Sequence, residues 1–488
     1  MIFTPTFDNL SERSAFTANI YNSLIDDIQA KTIVAGDFTY PVDFTGSFGF
    51  NGSSLYNVGN FGSDTSANAN GIRIANGLGF TPGGIAADNT TSFQTIIDGL
   101  STRGSIMLGP GIYDIDATIL LNGSSDGIGN YTLWGQGIDA TVIRAAAGFS
   151  GNRMLQMTAT PASSAATSIT LRDMTIDCNS LANLGIDIGS TTDCTFINVR
   201  VTGSDSTALN GDGWLITNSE RPTLINCRAD TNDGAGFRTG ETNGINDDVT
   251  FLSCISRANT GNGWDCVPSG VNLQFGMCQA NGNAIGFNFE ESTSDSTMVS
   301  FFGCRARDNS SHGYMLNQAT SPAPGFMNEF AFTGCFAYSN TGNGFHLFSN
   351  DNSSADIGIG YVSFTGCHAY LNDGHGCYIE DVADFAMVGG CYNDNDADSS
   401  GGEDGVNINS GIAFAFTSSV VGVNASSRKA LTQDRGIYFD GALATSYVVD
   451  ACSARDNVTD QFTDDGAGNA TTWTTQDPAD GVANVPAF

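Results

Sequence analysis

The sequence predicts an all-β chain wound as a solenoid of short strands. One phrase recurs ten times, in its fullest form as Cys335-Phe-Ala-Tyr-Ser-Asn340-Thr-Gly342-Asn-Gly344-Phe345 and Cys367-His-Ala-Tyr-Leu-Asn372-Asp-Gly374-His-Gly376-Cys377. Less complete copies start at Met174, Val199, Cys227, Cys254, Cys278, Cys304, Cys391 and Cys452, roughly 24–33 residues apart. One gap of about two periods, between Cys391 and Cys452, is filled by a degenerate copy near Val421. Self-similarity at this period means stacked repeats.

Each element of the repeat follows from its residues. The lead-in alternates in character, as in Val249-Thr-Phe-Leu-Ser-Cys254, and reads as a strand. The start and the second residue after it share a face, because strand side chains alternate. Cys and Ala fill those positions, so that face is the interior. The fifth residue after the start is Asn in most copies (Asn179, Asn232, Asn259, Asn283, Asn309, Asn340, Asn372, Asn457). Asn tolerates left-handed backbone and, in register, stacks as an amide ladder. Gly follows, suiting turns with positive φ. A second strand comes next, such as Gly286-Phe-Asn-Phe-Glu290. No repeat holds a run of helical spacing, and a β-sandwich would not place Cys, Ala and Asn at fixed offsets.

Composition narrows the function classes. The 488 residues carry a formal net charge of −33, with only two lysines, Lys31 and Lys429. Nucleic acid is excluded as a partner, since phosphate binding needs clustered cations. The twelve cysteines mostly occupy inward positions and read as buried free thiols. No zinc-type spacing appears, and neither metal nor cofactor is expected. The first residues lack the charged and apolar regions of a signal peptide, and no apolar run is long enough for membrane insertion.

Along the chain, residues 11–31 read as a helix with Phe16, Ile20, Leu24 and Ile28 on one face. This helix is open to either packing on its own domain or pairing with other copies. Residues 36–84 read as a small β-rich adaptor. A capped helix over Asp88–Leu100 precedes the strand Ser105-Ile-Met-Leu108 and Gly109-Pro-Gly-Ile-Tyr113. That opening resembles the pectate-lyase-like right-handed parallel β-helix family. Tyr131-Thr-Leu-Trp134 and Leu171-Arg-Asp-Met-Thr-Ile-Asp177 resemble its coils. The resemblance implies a right-handed parallel β-helix over 85–460. The adaptor occupies 1–84, and 461–488 forms a tail that caps the last coil, joins a trimer or stays disordered. An adaptor ahead of a β-helix also resembles a bacteriophage tailspike in architecture.

Outward positions stack into columns as well. One first-strand column holds Arg200, Arg228, Arg305, Phe336 and His368, and another holds Arg257, Arg307, Tyr338, Tyr370 and Arg455. Aromatic faces stack on sugar rings, and Arg binds carboxylates bidentately. Arg307, Phe336, Tyr338 and Tyr370 are therefore candidate glycan-binding residues. The second-strand column runs Asp187, Leu215, Arg238, Asp265, Asn288, Met315, His346, Tyr378, with Glu290 two residues beyond Asn288. Arg238 and Asp265 should be neighbours on adjacent coils, with Asp265 and Glu290 diagonal. Two carboxyls at a glycosidic bond are what hydrolysis needs. Glu290, flanked by Phe287 and Phe289 whose rings would desolvate it, is the candidate acid. Asp265 is the candidate base, held ionised by Arg238. Asp212, Glu291, Glu380 and Asp381 compete for these roles. His346 is a candidate for acid–base or binding work. An acidic turn, Asp394 to Asp404, has oxygen ligands suited to calcium but reads as a solvated loop.

These features point to a trimeric tailspike-like protein at the virion tail. Its N-terminus would attach to a tail or baseplate protein, and its β-helix would bind and cleave a host surface polysaccharide by hydrolysis. A non-catalytic fibre or adhesin, and a polysaccharide lyase or epimerase, are the alternatives.

Overall fold

A computed structural model describes residues 72–464, apart from short intervening segments, together with 473–475. The expected helix over 11–31 and most of the expected adaptor lie outside these residues. The fold is a right-handed parallel β-helix. Among the described residues no helix is long and apolar enough to cross a membrane.

One coil illustrates the rest. A first strand, Ser296–Phe302, ends at Gly303 with φ 63°. A short second strand, Arg305–Arg307, ends at Asp308 with φ 54°. A turn through Asn309 then leads to the third strand, Tyr314–Gln318. First and second strands belong to a 27-stranded sheet, and third strands to a 13-stranded one. Every pairing in the large and third-strand sheets is parallel, so like positions stack: Phe275 on Phe301, Phe332 and Phe364.

The interior holds two aromatic columns. Phe251, Phe275, Phe301, Phe332 and Phe364 stack at 4.7–5.1 Å. Trp214, Phe237, Trp264, Phe287, Tyr314 and Phe345 stack at 4.6–5.8 Å on the opposite wall. The columns meet edge to face, the arrangement their ring quadrupoles favour. The expected amide ladder is present. Asn232, Asn259, Asn283, Asn309, Asn340 and Asn372 each donate to the next rung, and Asn395, Gln433 and Asn457 continue it. All twelve cysteines are free, and all but Cys391 are buried. Burial pushes the Cys254 and Cys278 thiols well up, so they remain protonated.

Several expectations need correction. Asn179 is exposed rather than a buried rung. The copy at Cys391 is offset by one residue: Cys391 pairs with the outward His368, and Tyr392 with the inward Ala369. Gly390 makes this possible, because a Cβ there would lie 2.2 Å from the Cys367 carbonyl oxygen. The ladder residue of that coil is accordingly Asn395. The degenerate copy exists, with Val421 between Tyr392 and Ala454. The capping helix spans Ala86–Asp98 and starts at Ile85, which supplies no side-chain cap. Asp88 lies in its first turn instead, where a negative charge complements the helix dipole.

Two stretches ahead of the capping helix join the first coils. Ile72–Ile74 pairs with the strand containing Ser105–Met107. Phe80 is fully buried between the rings of Phe93 and Tyr113, at 4.3 and 4.6 Å. At the other end, Asp460–Asp464 still pairs with Arg435–Phe439.

Candidate functional site

The outer face of the third-strand sheet carries two adjoining polar columns. One holds the residue before the conserved-offset Gly: Asp212, Ala235, Asn262, Ile285, His312, Asn343, His375 and Asp404. The other lies three residues further along each coil, and parallel pairing stacks Leu215, Arg238, Asp265, Asn288, Met315, His346, Tyr378 and Asn407. The Gly between them lets coils approach closely: a Cβ on Gly286 would lie 2.4 Å from the Gly313 carbonyl oxygen. Side chains bond across the two columns within a coil, as Asn262 does to Asp265 at 3.0 Å.

Arg238 is the hub of the first cluster. Its Nε donates to Asp212 Oδ2 at 2.7 Å, and its Nη2 lies 2.9 Å from Asp265 Oδ2. Both aspartates are buried. Burial is the largest influence on Asp212 and raises its proton affinity, against the opposing pull of Arg238. Asn288 Nδ2 donates to Asp265 Oδ1 at 2.9 Å and to Glu290 Oε1 at 3.0 Å. Glu290 itself is exposed, and Phe287 and Phe289 point into the core. The flanking rings therefore do not enclose the Glu290 carboxylate, contrary to the reading of its neighbours in sequence. Alternation sends them to the opposite face.

A second cluster follows beyond the apolar pair Ile285 and Met315. The rings of His312 and His346 lie 4.3 Å apart. Tyr378 lies between the rings of His346 and His375, at 5.2 and 5.5 Å. Asp404 and Arg435 pair bidentately at 2.8 and 3.3 Å. Burial raises the Asp404 pKa to about 6 despite this partner. Asp394, Asp396 and Asp404 are buried, so these three members of the acidic turn are not the solvated carboxylates its composition implies. Among the described residues no three metal-ligating groups converge.

Arg307, Phe336, Tyr338 and Tyr370 lie on the second strands of the large sheet, not on this face. There Tyr338 and Tyr370 stack at 5.0 Å, and Phe336 stacks on His368 at 5.0 Å. The Arg305 guanidinium sits 5.6 Å over the Phe336 ring. The predicted residues thus divide: Arg238, Asp265, Glu290 and His346 share one face, and the aromatic–Arg set occupies another. Sequence columns named Asn288 and Tyr378 without roles and omitted His312, His375 and Arg435 as partners. Their signal was the fixed three-residue offset between the columns.

A family model described as the right-handed β-helix region matches residues 117–300. The sequence matches no curated protein. Solved structures share the architecture at low identity. Tailspike protein 3 of bacteriophage CBA120 is 14% identical, with a TM-score of 0.57 over 85% of this chain and 65% of its own. The catalytic unit of a GH87 α-1,3-glucanase from Streptomyces thermodiastaticus is 12% identical, with a TM-score of 0.55 over 82% of this chain and 71% of its own. The A-module of a mannuronan C-5 epimerase from Azotobacter vinelandii is 13% identical, with a TM-score of 0.50 over 82% of this chain and all of its own. These matches bear out the β-helix resemblance and establish the fold.

Proposed function

We propose that this chain binds and hydrolyses a host surface polysaccharide, in the manner of a phage tailspike. The observation that carries the reading is the network Arg238–Asp265–Asn288–Glu290 on one outward face. A polymer needs an extended surface, and the parallel columns supply one along successive coils, about 4.8 Å apart. Tailspike and glucanase neighbours of the same fold support it, although fold alone does not confer an activity.

In this reading Asp265 is the second carboxylate, held in place by Arg238 and two amides. Glu290 reaches solvent and exchanges the proton with the glycosidic oxygen. Both carboxylates bond the same amide nitrogen, which holds their nearest oxygens within about 6 Å. Retaining glycosidases separate their carboxyls by roughly 5–5.5 Å and inverting ones by roughly 6.5–9.5 Å. The arrangement therefore favours retention of anomeric configuration.

Reducing-end release from a panel of capsular and O-antigen polysaccharides tests the activity, and NMR of the first-formed anomer tests the stereochemistry. Asp265→Asn and Glu290→Gln should each lower turnover by at least ~100-fold with binding retained. Wild-type turnover in both variants would remove this pair from consideration. Binding without cleavage on every glycan would favour the adhesin reading, which the full set of hydrogen bonds on Asp265 also suits. Homotrimeric assembly and attachment through the N-terminal region belong to the same proposal. Phe302 and Tyr361, 62% and 63% exposed on the first-strand face, are suited to an assembly contact.

A further inference from the structure

The histidines of the second cluster are held in one defined state. His312 Nδ1 accepts from the Asn343 backbone N–H at 2.9 Å. His375 Nδ1 accepts from the Asp404 backbone N–H at 2.8 Å. An amide N–H can only donate, so neither Nδ1 carries a proton. The third case follows from the Asn343 side chain. Its Oδ1 accepts from the His375 backbone N–H at 2.9 Å, which turns its Nδ2 toward His346 Nδ1 at 2.7 Å. His346 Nδ1 is thus an acceptor as well. All three imidazoles are Nε2–H tautomers.

Among the described residues no protein group takes any of these Nε2 atoms, and all three side chains are partly open to solvent. Burial lowers their pKa values to about 4, 3 and 4 for His312, His346 and His375, so they are neutral at pH 7. The approach of His375 Nδ1 to Asp404 Oδ2 at 3.7 Å is consequently not an ion pair. The surrounding charges are matched internally. Arg435 is committed to Asp404, with Asp434 at 3.7 Å, and Glu380 accepts from the Tyr378 hydroxyl at 2.6 Å. The next residue in the column, Asn407, has a buried Oδ1 with no partner among the described residues.

We propose that His312, His346 and His375, with the Tyr378 ring between them, form a binding site for an uncharged, hydroxyl-rich stretch of glycan, to which the imidazoles act as neutral Nε2–H donors. The site rests on the glycan-directed reading above and specifies its substrate class. Three donors on three successive coils repeat at about 4.8 Å along the axis, which suits the repeated oxygens of a polymer. The rings stack on one another along the column, so their polar edges rather than their faces are turned outward. A uronate-bearing chain would find no unpaired cation here for its carboxylates, and Glu380 would repel it.

The test uses the full chain with 15N-labelled histidine and purified polysaccharides sorted into uncharged and uronate-bearing sets. Long-range 1H–15N spectra should show the neutral Nε2–H form for the three residues from pH 5 to pH 8. Uncharged glycans should shift those three signals. His346→Phe keeps the ring but loses the donor, and should weaken binding about tenfold, as expected for one hydrogen bond. His375→Phe should do the same. Unchanged melting curves would show that both variants fold. An Nδ1–H or protonated form at pH 7, wild-type affinity in both variants, or binding confined to uronate-bearing chains would overturn the proposal. Glycan binding without change at the three histidines would overturn the site while leaving the glycan reading intact. Binding to no glycan at all would overturn both.

Discussion

Asn288 places one amide nitrogen between two carboxylates, donating to Asp265 at 2.9 Å and to Glu290 at 3.0 Å. Asn288 is fully buried, so a small rotation of its side chain is resisted by packing on all sides. It is a positioning residue for both groups.

Replacing Asn288 with Asp sets four carboxylates, with Asp212, Asp265 and Glu290, against one guanidinium. Turnover should fall by at least ~100-fold at pH 7. The acid limb of the pH–rate profile should move upward, because the added charge makes proton release harder. Asn288→Leu should lose turnover without that movement. A purely structural Asn288 would leave turnover at the wild-type level in folded Asn288→Leu protein.

Arg238 neutralises two buried aspartates. Arg238→Met should destabilise the chain by about 3–5 kcal/mol, since it leaves Asp212 and Asp265 without a counter-ion. Because the buried Asp212 then favours its protonated form, the variant should be relatively more stable at low pH. Adding Asp212→Leu should recover part of the loss. Urea unfolding of the single and double variants would reveal it.

The neutral histidines give a signed pH dependence. Their folded pKa values of about 4, 3 and 4 lie below the unfolded value near 6.5, so protons bind the unfolded chain preferentially. Their stabilising contribution is complete above pH 6.5 and is lost as pH falls toward the folded values. Between pH 7 and pH 5 each should account for about 2 kcal/mol of lost stability. Asp404, raised to about 6, acts in the opposite sense over that interval, since its protonation favours the folded state. His346→Phe should therefore lose about 2 kcal/mol less than wild type on that pH change. Equal losses in denaturant titrations at the two pH values would mean a solvated imidazole.

Within the amide ladder, Asn340 Oδ1 accepts from both the backbone and the side chain of Asn309, at 3.2 and 2.8 Å. Asn340→Ala strands both donors in the core. A loss of about 2–5 kcal/mol is expected from two unsatisfied buried groups. A melting temperature unchanged from wild type would contradict the ladder's role in stability.

Deleting residues 1–71 should leave a folded β-helix and, on the proposed tailspike reading, should keep glycan binding while abolishing attachment to a phage particle. Cutting at 84 instead removes Phe80 from between Phe93 and Tyr113, and should cost about 3–5 kcal/mol. Circular dichroism of the two truncations separates the cases.

The sequence by itself determined the period, the inward Cys and Ala, most of the Asn rungs and the adjacency of Arg238 with Asp265. Parallel stacking makes this legible, because every coil meets the same surroundings and therefore selects the same residue types. It misassigned Cys391, where one glycine shifts the register, and Asn179, which lies at the same offset on a coil without the buried turn. Tertiary structure alone decided which polar residues touch. Asn343 with His346 and Asn262 with Asp265 meet only because a tight Gly turn brings two outward columns side by side. The imidazole tautomers were likewise beyond the sequence: they depend on which backbone N–H of the next coil lies within hydrogen-bond reach, a matter of less than an ångström that residue types do not encode.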